Sequence, residues 1–593
     1  MDNSRATVTA VNSAAHPHSP TAGIQEAIDA LPERGGVLLI PAGTYVVRRS
    51  IVLRAGVTLR GEGAASVLTR PPPVVFELTA PSPANRIEAE LSTVEGLRPG
   101  DEIWINEPTQ GGWYSRHLEI RAIHGHRVEG VLVEGSPERS YHPEGGAWGA
   151  NFYPMVLIPR CSDAAIEDLT VDGGSHAYDA GRVADFTCTA IHGVKALNLR
   201  VSRVTVRRWP ADGISAQGGT ATVSGCLVEE CLGNGYHPGS DIRQSFWTHN
   251  VSRRNGWNGF YFCLGVRNAV VANNVFSDNR HNGIGGLSDP DAYNIITGNV
   301  IARNGRRGID APQSLGNIIS NNLVQDNSQA VPGAFPGIGM QHHRGNVVTG
   351  NRCTDSQDHP TQLTGIEMTD AQGENVVADN LAPVYAGACA LPIPRGELRP
   401  AAARPKMTGR MDDPIWKDAD LLSIDRMAED GKPAAVAAQA AFLHDRRFLY
   451  IGVRCAEPLV GRLRDRFRAR GDDVWMENSF EIFIAPGHPS EGCYQFVVNS
   501  LGTVYELQYA GTRSIGWASG GEAFAHRGSD FWSVEMAIPL AAFGFEALKA
   551  GTELKANVYR SRLTVFPNEA TAWSPTFGGP TNLSRRFGTL VVR

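Results

Sequence analysis

Between residues 160 and 390 the apolar positions come in short pairs. Val270-Val271, Ile295-Ile296, Ile318-Ile319 and Val347-Val348 are each too brief for a conventional sandwich strand, and Asn and Gly separate them. Two beats order these pairs. The first is a Gly between a polar and an apolar residue, at Asp212-Gly213-Ile214, Asn234-Gly235-Tyr236, Asn258-Gly259-Phe260, Asn282-Gly283-Ile284, Arg307-Gly308-Ile309, Pro336-Gly337-Ile338 and Thr364-Gly365-Ile366, in steps of 22 to 29 residues. The second is Asn pairs five apart, at Asn268/Asn273, Asn294/Asn299, Asn317/Asn322, Asn346/Asn351 and Asn375/Asn380. Repeats of this length with short strands and recurrent bends predict a parallel β-helix, with Asn stacking coil on coil at one bend.

The pattern upstream fits the start of the same solenoid. Thr21 to Leu31 predicts a short helix, with Thr21 as N-cap and Ile24, Ala27, Ile28 and Leu31 on one face, suited to cover the open apolar end of the stack. Gly36-Val37-Leu38-Leu39-Ile40-Pro41-Ala42-Gly43-Thr44-Tyr45 and Gly56-Val57-Thr58-Leu59-Arg60-Gly61 follow. These residues resemble the opening of the pectate-lyase superfamily. The resemblance covers about 20–390 and implies a right-handed parallel β-helix. It leaves the reaction open, since that superfamily hosts lyases, hydrolases, epimerases and phage tailspikes. Residues about 79–155 break the rhythm and read as a small β insertion. It ends in Tyr141, His142, Trp148, Phe152 and Tyr153, which either wall a sugar groove or pack against the coil.

Pro392, Pro394, Pro400 and Pro405 with an Ala run mark 391–404 as a linker. Beyond it the Asn/Gly beat stops and longer alternating strands, such as Phe448–Arg454 and Phe480–Ile484, predict a β-sandwich over 405–593. Met411-Asp412-Asp413-Pro414-Ile415-Trp416, the stretch Asp473–Phe483, Trp532–Pro539 and Phe587-Gly588-Thr589-Leu590 resemble the family 9 carbohydrate-binding module. In that family two Trp rings sandwich a sugar. The resemblance implies Trp475 as one ring, Trp573 as the second, Glu481 as a hydroxyl partner, and a Ca²⁺ near Asp412 or Asp413. Trp416 and Trp532 read as core. The fold expectation is therefore all-β throughout: a β-helix over 1–390 with its insertion, then a sandwich.

Composition narrows the function. A net charge of −6 argues against a nucleic-acid partner, and no apolar run is long enough to span a membrane. The nine Cys include no CxxC pair, so buried reduced thiols are expected rather than a disulfide framework, and no Cys/His cluster has zinc-ligand spacing. Met1–Arg5 lack the features of a secretory signal, and compartment stays open.

A β-helix offers a long groove, and a polysaccharide or oligosaccharide is the partner that suits it. The residue two after each repeat Gly is Ser215, His237, Tyr261, Gly285, Asp310, Gly339 and Glu367, an aligned set expected to point outward. The coil at 235 adds Asp241 and Arg243; Arg254, Trp257 and His281 lie nearby in sequence, and Asp289 and Asp291 lie one coil on. Two mechanisms follow. In a polysaccharide lyase, His237 or Tyr261 serves as base and acid on a uronic acid, while Arg243, Arg254 or a Ca²⁺ on Asp289 and Asp291 neutralises its carboxylate. In a glycoside hydrolase a carboxylate pair, Asp310 with Glu367 or with Asp289, does the work. The lyase is preferred, with no required cofactor; a non-catalytic glycan-binding or tailspike-like protein is the third reading. Arg306 and Arg307 read as a solvated bend.

Overall fold

The computed structural model describes residues 8–108, 114–135, 137–174, 183–341, 343–369, 373–385, 391–487, 493–510, 513–565, 568–577 and 586–593. The chain divides into two compact units; the first lies within residues 8–385, and the second takes residues 391–593 together with Pro108 and Glu144–Gly146.

The first unit is a right-handed parallel β-helix. Each regular coil contributes three short strands; in one coil these are Tyr236–Gly239, Phe246–Thr248 and Val251–Arg253. Successive coils pair in parallel with like residues in register. Tyr236, Phe260, Ile284, Ile309 and Ile338 stack on the first face. Trp247, Val271, Ile296, Ile319 and Val348 stack on the second. All ten are buried and form one continuous core with the third face. The pairs of apolar residues in the sequence are thus one inward residue and one flanking neighbour, repeated on each face.

The bends are held by amide ladders. Asn250, Asn274, Asn299, Asn322, Asn351 and Asn380 form one column, in which each backbone N–H donates to the Asn side chain of the next coil. Asn255, Asn279, Asn304, Asn327 and Gln362 form a second, and Asn294, Asn317, Asn346 and Asn375 a third. Buried backbone groups that would otherwise be orphaned at the bends are satisfied in this way. Asn268 and Asn273 are one residue out of step with these columns. They take left-handed backbone (φ 55° and 56°), and Ala269 and Asn274 fill the ladder positions.

The helix is shorter than its apolar pattern, Ile24–Asp29. Gly23 occupies the N-cap, and the Thr21 hydroxyl instead accepts from the Gln25 N–H at 3.2 Å. Ile24 and Ile28 still enter the core. The insertion is a six-stranded antiparallel sheet that includes Glu102–Asn106, Ser115–His124 and Arg127–Gly135. Its aromatic stretch packs rather than walling a groove: Tyr141, Trp148, Phe152 and Tyr153 are all buried. Arg306 and Arg307 are buried as well, with Arg307 over the Phe335 ring.

The second unit is an antiparallel sandwich closed around Phe442, Ile451, Phe480, Phe496, Trp532 and Leu590, among others. Its first strand, Arg395–Pro400, lies within the stretch expected as linker and pairs with Gly588–Val592. The described cysteines are free thiols. No helix among the described residues is long and apolar enough to cross a membrane.

Candidate active site

The strand pairings place the outward residues of the first face in a single row. Leu157 is in register with His192, His192 with Ser215, and Ser215 with His237. The pairs Tyr236–Phe260 and Ile284–Ile309 carry the row from His237 to Tyr261 and from Gly285 to Asp310. Tyr261 is in register with Gly285, Asp310 with Gly339, and Gly339 with Glu367. Neighbouring coils sit about 4.8 Å apart along the row.

His237 is the centre of the arrangement. Its Nδ1–H donates to Asp212 Oδ2 at 2.6 Å, and both side chains are buried. Asp212 stands in the column of residues preceding the repeat Gly, which Asn234, Asn258 and Asn282 fill on the next three coils. Asp212 Oδ1 accepts from the Asn234 N–H at 2.5 Å and from its Nδ2 at 3.1 Å. Asn258 donates in turn to Asn234, and the Asn282 N–H to Asn258. A run of amide dipoles therefore ends on this carboxylate. Burial alone would lower the His237 pKa, but the hydrogen bond and charge of Asp212, with the Cys263 sulfur, push it up to about 10. Asp212 thus favours the imidazolium form of the ring, whose Nε2 is buried with no oxygen or nitrogen partner.

Tyr261 stands edge-to-face on His237, with ring centroids 5.2 Å apart. Burial, and then the charges of Cys263, Asp291, Asp212 and Asp310, hold its phenol well above the usual range. Two coils N-terminal of His237, His192 is buried and pushed down to about 3, first by desolvation and then by His117 and His237. Two histidines of one row thus have opposite protonation states, the pattern expected of acid–base sites. Asp310 is half-buried and raised by desolvation, against Arg307 at 3.6 Å and Arg306.

The other expected site residues fall into three groups. Glu367 is on the row, while Trp257 and His281 lie on the bend feeding it, their rings stacked 6.3 Å apart at 4°. Asp241 and Arg243 are on the exposed bend that leaves the row, and Asp289 is exposed in a loop. Three assignments are corrected. Arg254 follows the third-face strand Val251–Arg253 and is paired with Glu229 at 2.6 Å and Glu230 at 3.0 Å. Asp291 is fully buried, and its oxygens accept the N–H groups of Gly265, Val266 and Ser288. Asp289 and Asp291 do not fit a Ca²⁺, because the buried carboxylate is already filled by backbone donors. Among the described residues no group of three His, Cys, Asp or Glu is arranged to hold a metal. Trp573 belongs to the sandwich core.

In the sandwich, Trp475 is 43% exposed and meets Tyr505 edge-on at 4.6 Å. Tyr505 is in register with Val497, and Val497 with Glu481. Glu481 accepts from Gln495 Nε2 at 3.0 Å, and Gln495 in turn accepts from the Tyr509 hydroxyl at 2.7 Å. Trp416 is core as expected, donating to Glu535 at 2.6 Å. Trp532 is core too. Asp413 and Asp412 accept local hydrogen bonds, from Ile415 N–H and the Thr408 hydroxyl.

Sequence reasoning missed Asp212, His192 and Phe186. The first had a signal: an acid replaces Asn in the column preceding the repeat Gly.

A family model described as a right handed beta helix region matches residues 189–331 and 249–384. Comparison with curated proteins gave no match. Among solved structures, the chain is similar to the A-module of mannuronan C-5 epimerase AlgE4 from Azotobacter vinelandii, at 17% identity over 63% of this chain and 95% of that one, with a TM-score of 0.36. Polygalacturonase from Erwinia carotovora matches at 12% identity over 64% and 94%, with a TM-score of 0.34. A family 9 carbohydrate binding module from Caldicellulosiruptor kristjanssonii, in complex with cellotriose, matches at 13% identity over 34% and 93%, with a TM-score of 0.26.

Proposed function

We propose that this protein is a carbohydrate-active enzyme whose β-helix row acts on a uronic-acid-containing glycan by β-elimination. The observation that carries the reading is the Asp212–His237 pair at 2.6 Å with Tyr261 edge-on to the imidazolium. A buried cation on an outward row suits the carboxylate of a uronate, and neutralising that carboxylate is what makes the C5 proton removable. Tyr261 moves the proton. As phenoxide it takes the C5 proton, the C–H electron pair becomes the C4=C5 double bond, and the C4–O bond breaks. The phenol then returns the same proton to the departing oxygen. His237 stays charged throughout and stabilises both the enolate-like intermediate and the phenoxide.

A hydrolase is the second reading, favoured by Asp310 and Glu367. They stand two coils apart on the row, about 9–10 Å by strand spacing, close to the separation used by inverting glycosidases. In the sandwich, Trp475 with Tyr505, Glu481 and Gln495 forms an aromatic and polar surface suited to stacking a pyranose, and we assign it to glycan binding.

The test is turnover on a panel of anionic and neutral polysaccharides. Ultraviolet absorbance of an unsaturated uronate supports elimination. New reducing ends without it support hydrolysis instead. Retention of glycan with neither product leaves a binding protein.

A further inference from the structure

The row through His237 is not uniform along its length. On the N-terminal side Leu157, His192 and Ser215 are buried, and His237 itself is only 5% exposed. On the C-terminal side Tyr261, Asp310 and Glu367 are partly open. The change has a visible cause. Residues Phe186–Cys188 form a short 3-10 turn, and the Phe186 ring lies over the boundary, 6.1 Å from the His192 ring and 5.8 Å from the His237 ring.

This turn is braced to the insertion. The Thr187 hydroxyl is hydrogen-bonded to His117 Nε2 and to Ser115 Oγ, each at 2.9 Å, and donates to Asp185. His117 Nδ1 meets Glu102 at 3.0 Å, and Glu102 accepts from the Ser50 N–H of an early coil at 2.9 Å. Every link is buried or half-buried, so the insertion holds Phe186 in place as a fixed stop. The two histidines whose rings Phe186 approaches each keep one buried nitrogen, His192 Nδ1 and His237 Nε2, with no oxygen or nitrogen partner.

From this geometry we infer that the groove is closed at its N-terminal side and binds glycan by a chain end. The terminal uronate seats against Phe186 and His237, and the rest of the chain runs over Tyr261 toward Asp310 and Glu367. The inference deepens the reading of the row as a uronate site and rests on it. An interior residue of a long chain has no room to continue past Phe186, so the enzyme releases units from one end. The unpartnered nitrogens are the groups that a terminal sugar's hydroxyl or carboxylate oxygens would satisfy.

Polygalacturonate, alginate and glucuronan oligomers of defined length supply the test, with product lengths followed from the earliest turnover. Calorimetric binding is measured alongside, on hexamers blocked at the reducing end, at the non-reducing end or at both. The inference expects a single short product from the start, with intermediate lengths absent. It also expects a loss of affinity of at least tenfold when one particular end is blocked. Phe186→Ala, with its native melting transition verified, is expected to produce intermediate lengths and to recover binding of the blocked hexamer. Random mid-chain scission by the parent protein, or equal binding of blocked and free hexamers, overturns the end-on inference while leaving the uronate site standing. Absence of both binding and turnover on every uronate overturns the two together.

Discussion

The amide ladders and the row through His237 are built on the same coils at the same spacing, yet their compositions are opposite. In the ladders one residue type recurs: Asn299 receives from Asn274 and donates to Asn322, as its neighbours do in turn. In the row no two adjacent coils offer the same group; His192, Ser215, His237, Tyr261, Gly285 and Asp310 follow one another. Repetition fixes register, because each ladder side chain accepts from the backbone N–H of the coil before it and donates to a backbone carbonyl or to the next amide of the column. Departure from repetition supplies chemistry. Asp212 belongs to both, ending one amide column with its Oδ1 and holding His237 with its Oδ2.

Breaking the row should cost activity and little else. His237→Ala is expected to reduce turnover about 10³-fold, with the melting transition of the β-helix retained. Asp212→Asn keeps the column hydrogen-bonded but removes the charge. It should reduce turnover about 10²-fold, and its effect should shrink at low pH, where His237 is protonated without help. Breaking a ladder should do the reverse. Asn299→Ala, buried between Asn274 and Asn322, should destabilise the unit by about 2–3 kcal/mol in urea unfolding, with kcat within about twofold of the parent.

The pH dependence sharpens the same contrast. A histidine whose folded pKa is raised contributes stability that is fully present below its unfolded value of about 6.5. That contribution is lost as pH rises through about 10. The parent protein should lose melting temperature across that window, and His237→Gln should lose less. Turnover should climb with pH, because the Tyr261 phenol is held above the usual range, and should stop climbing near the same upper limit as His237 loses its proton. The smallest effect concerns the sandwich: Trp475→Ala should weaken retention on an immobilised polysaccharide about tenfold and leave turnover of short soluble oligomers unchanged.

The solenoid was legible because its core is periodic. The Gly beat alone gave the register in which His237, Tyr261, Asp310 and Glu367 fall on one row. What it could not give was depth. Asp291 has the composition of a metal ligand, but three backbone N–H groups occupy it. Trp573 has the ring of a sugar platform, but it fills the sandwich core against Gly588. Arg254 is near His237 in sequence and faces another side of the coil, a separation that follows from three strands per turn. Phe186 and His192 escaped notice because the first coils depart from the beat: Ala190 precedes Ile191 where later coils have Gly. The brace from the insertion depends on contacts between residues up to 72 positions apart, such as Ser115 and Thr187, which no local pattern encodes.

The claim that a buried carboxylate at the end of an amide column charges the histidine of the row is tested most directly by NMR titration of the His237 ring. The account predicts a pKa near 10 in the parent protein and a fall of two units or more in Asp212→Asn. Titration of the parent His237 at or below the ordinary histidine value of about 6.5 would contradict it.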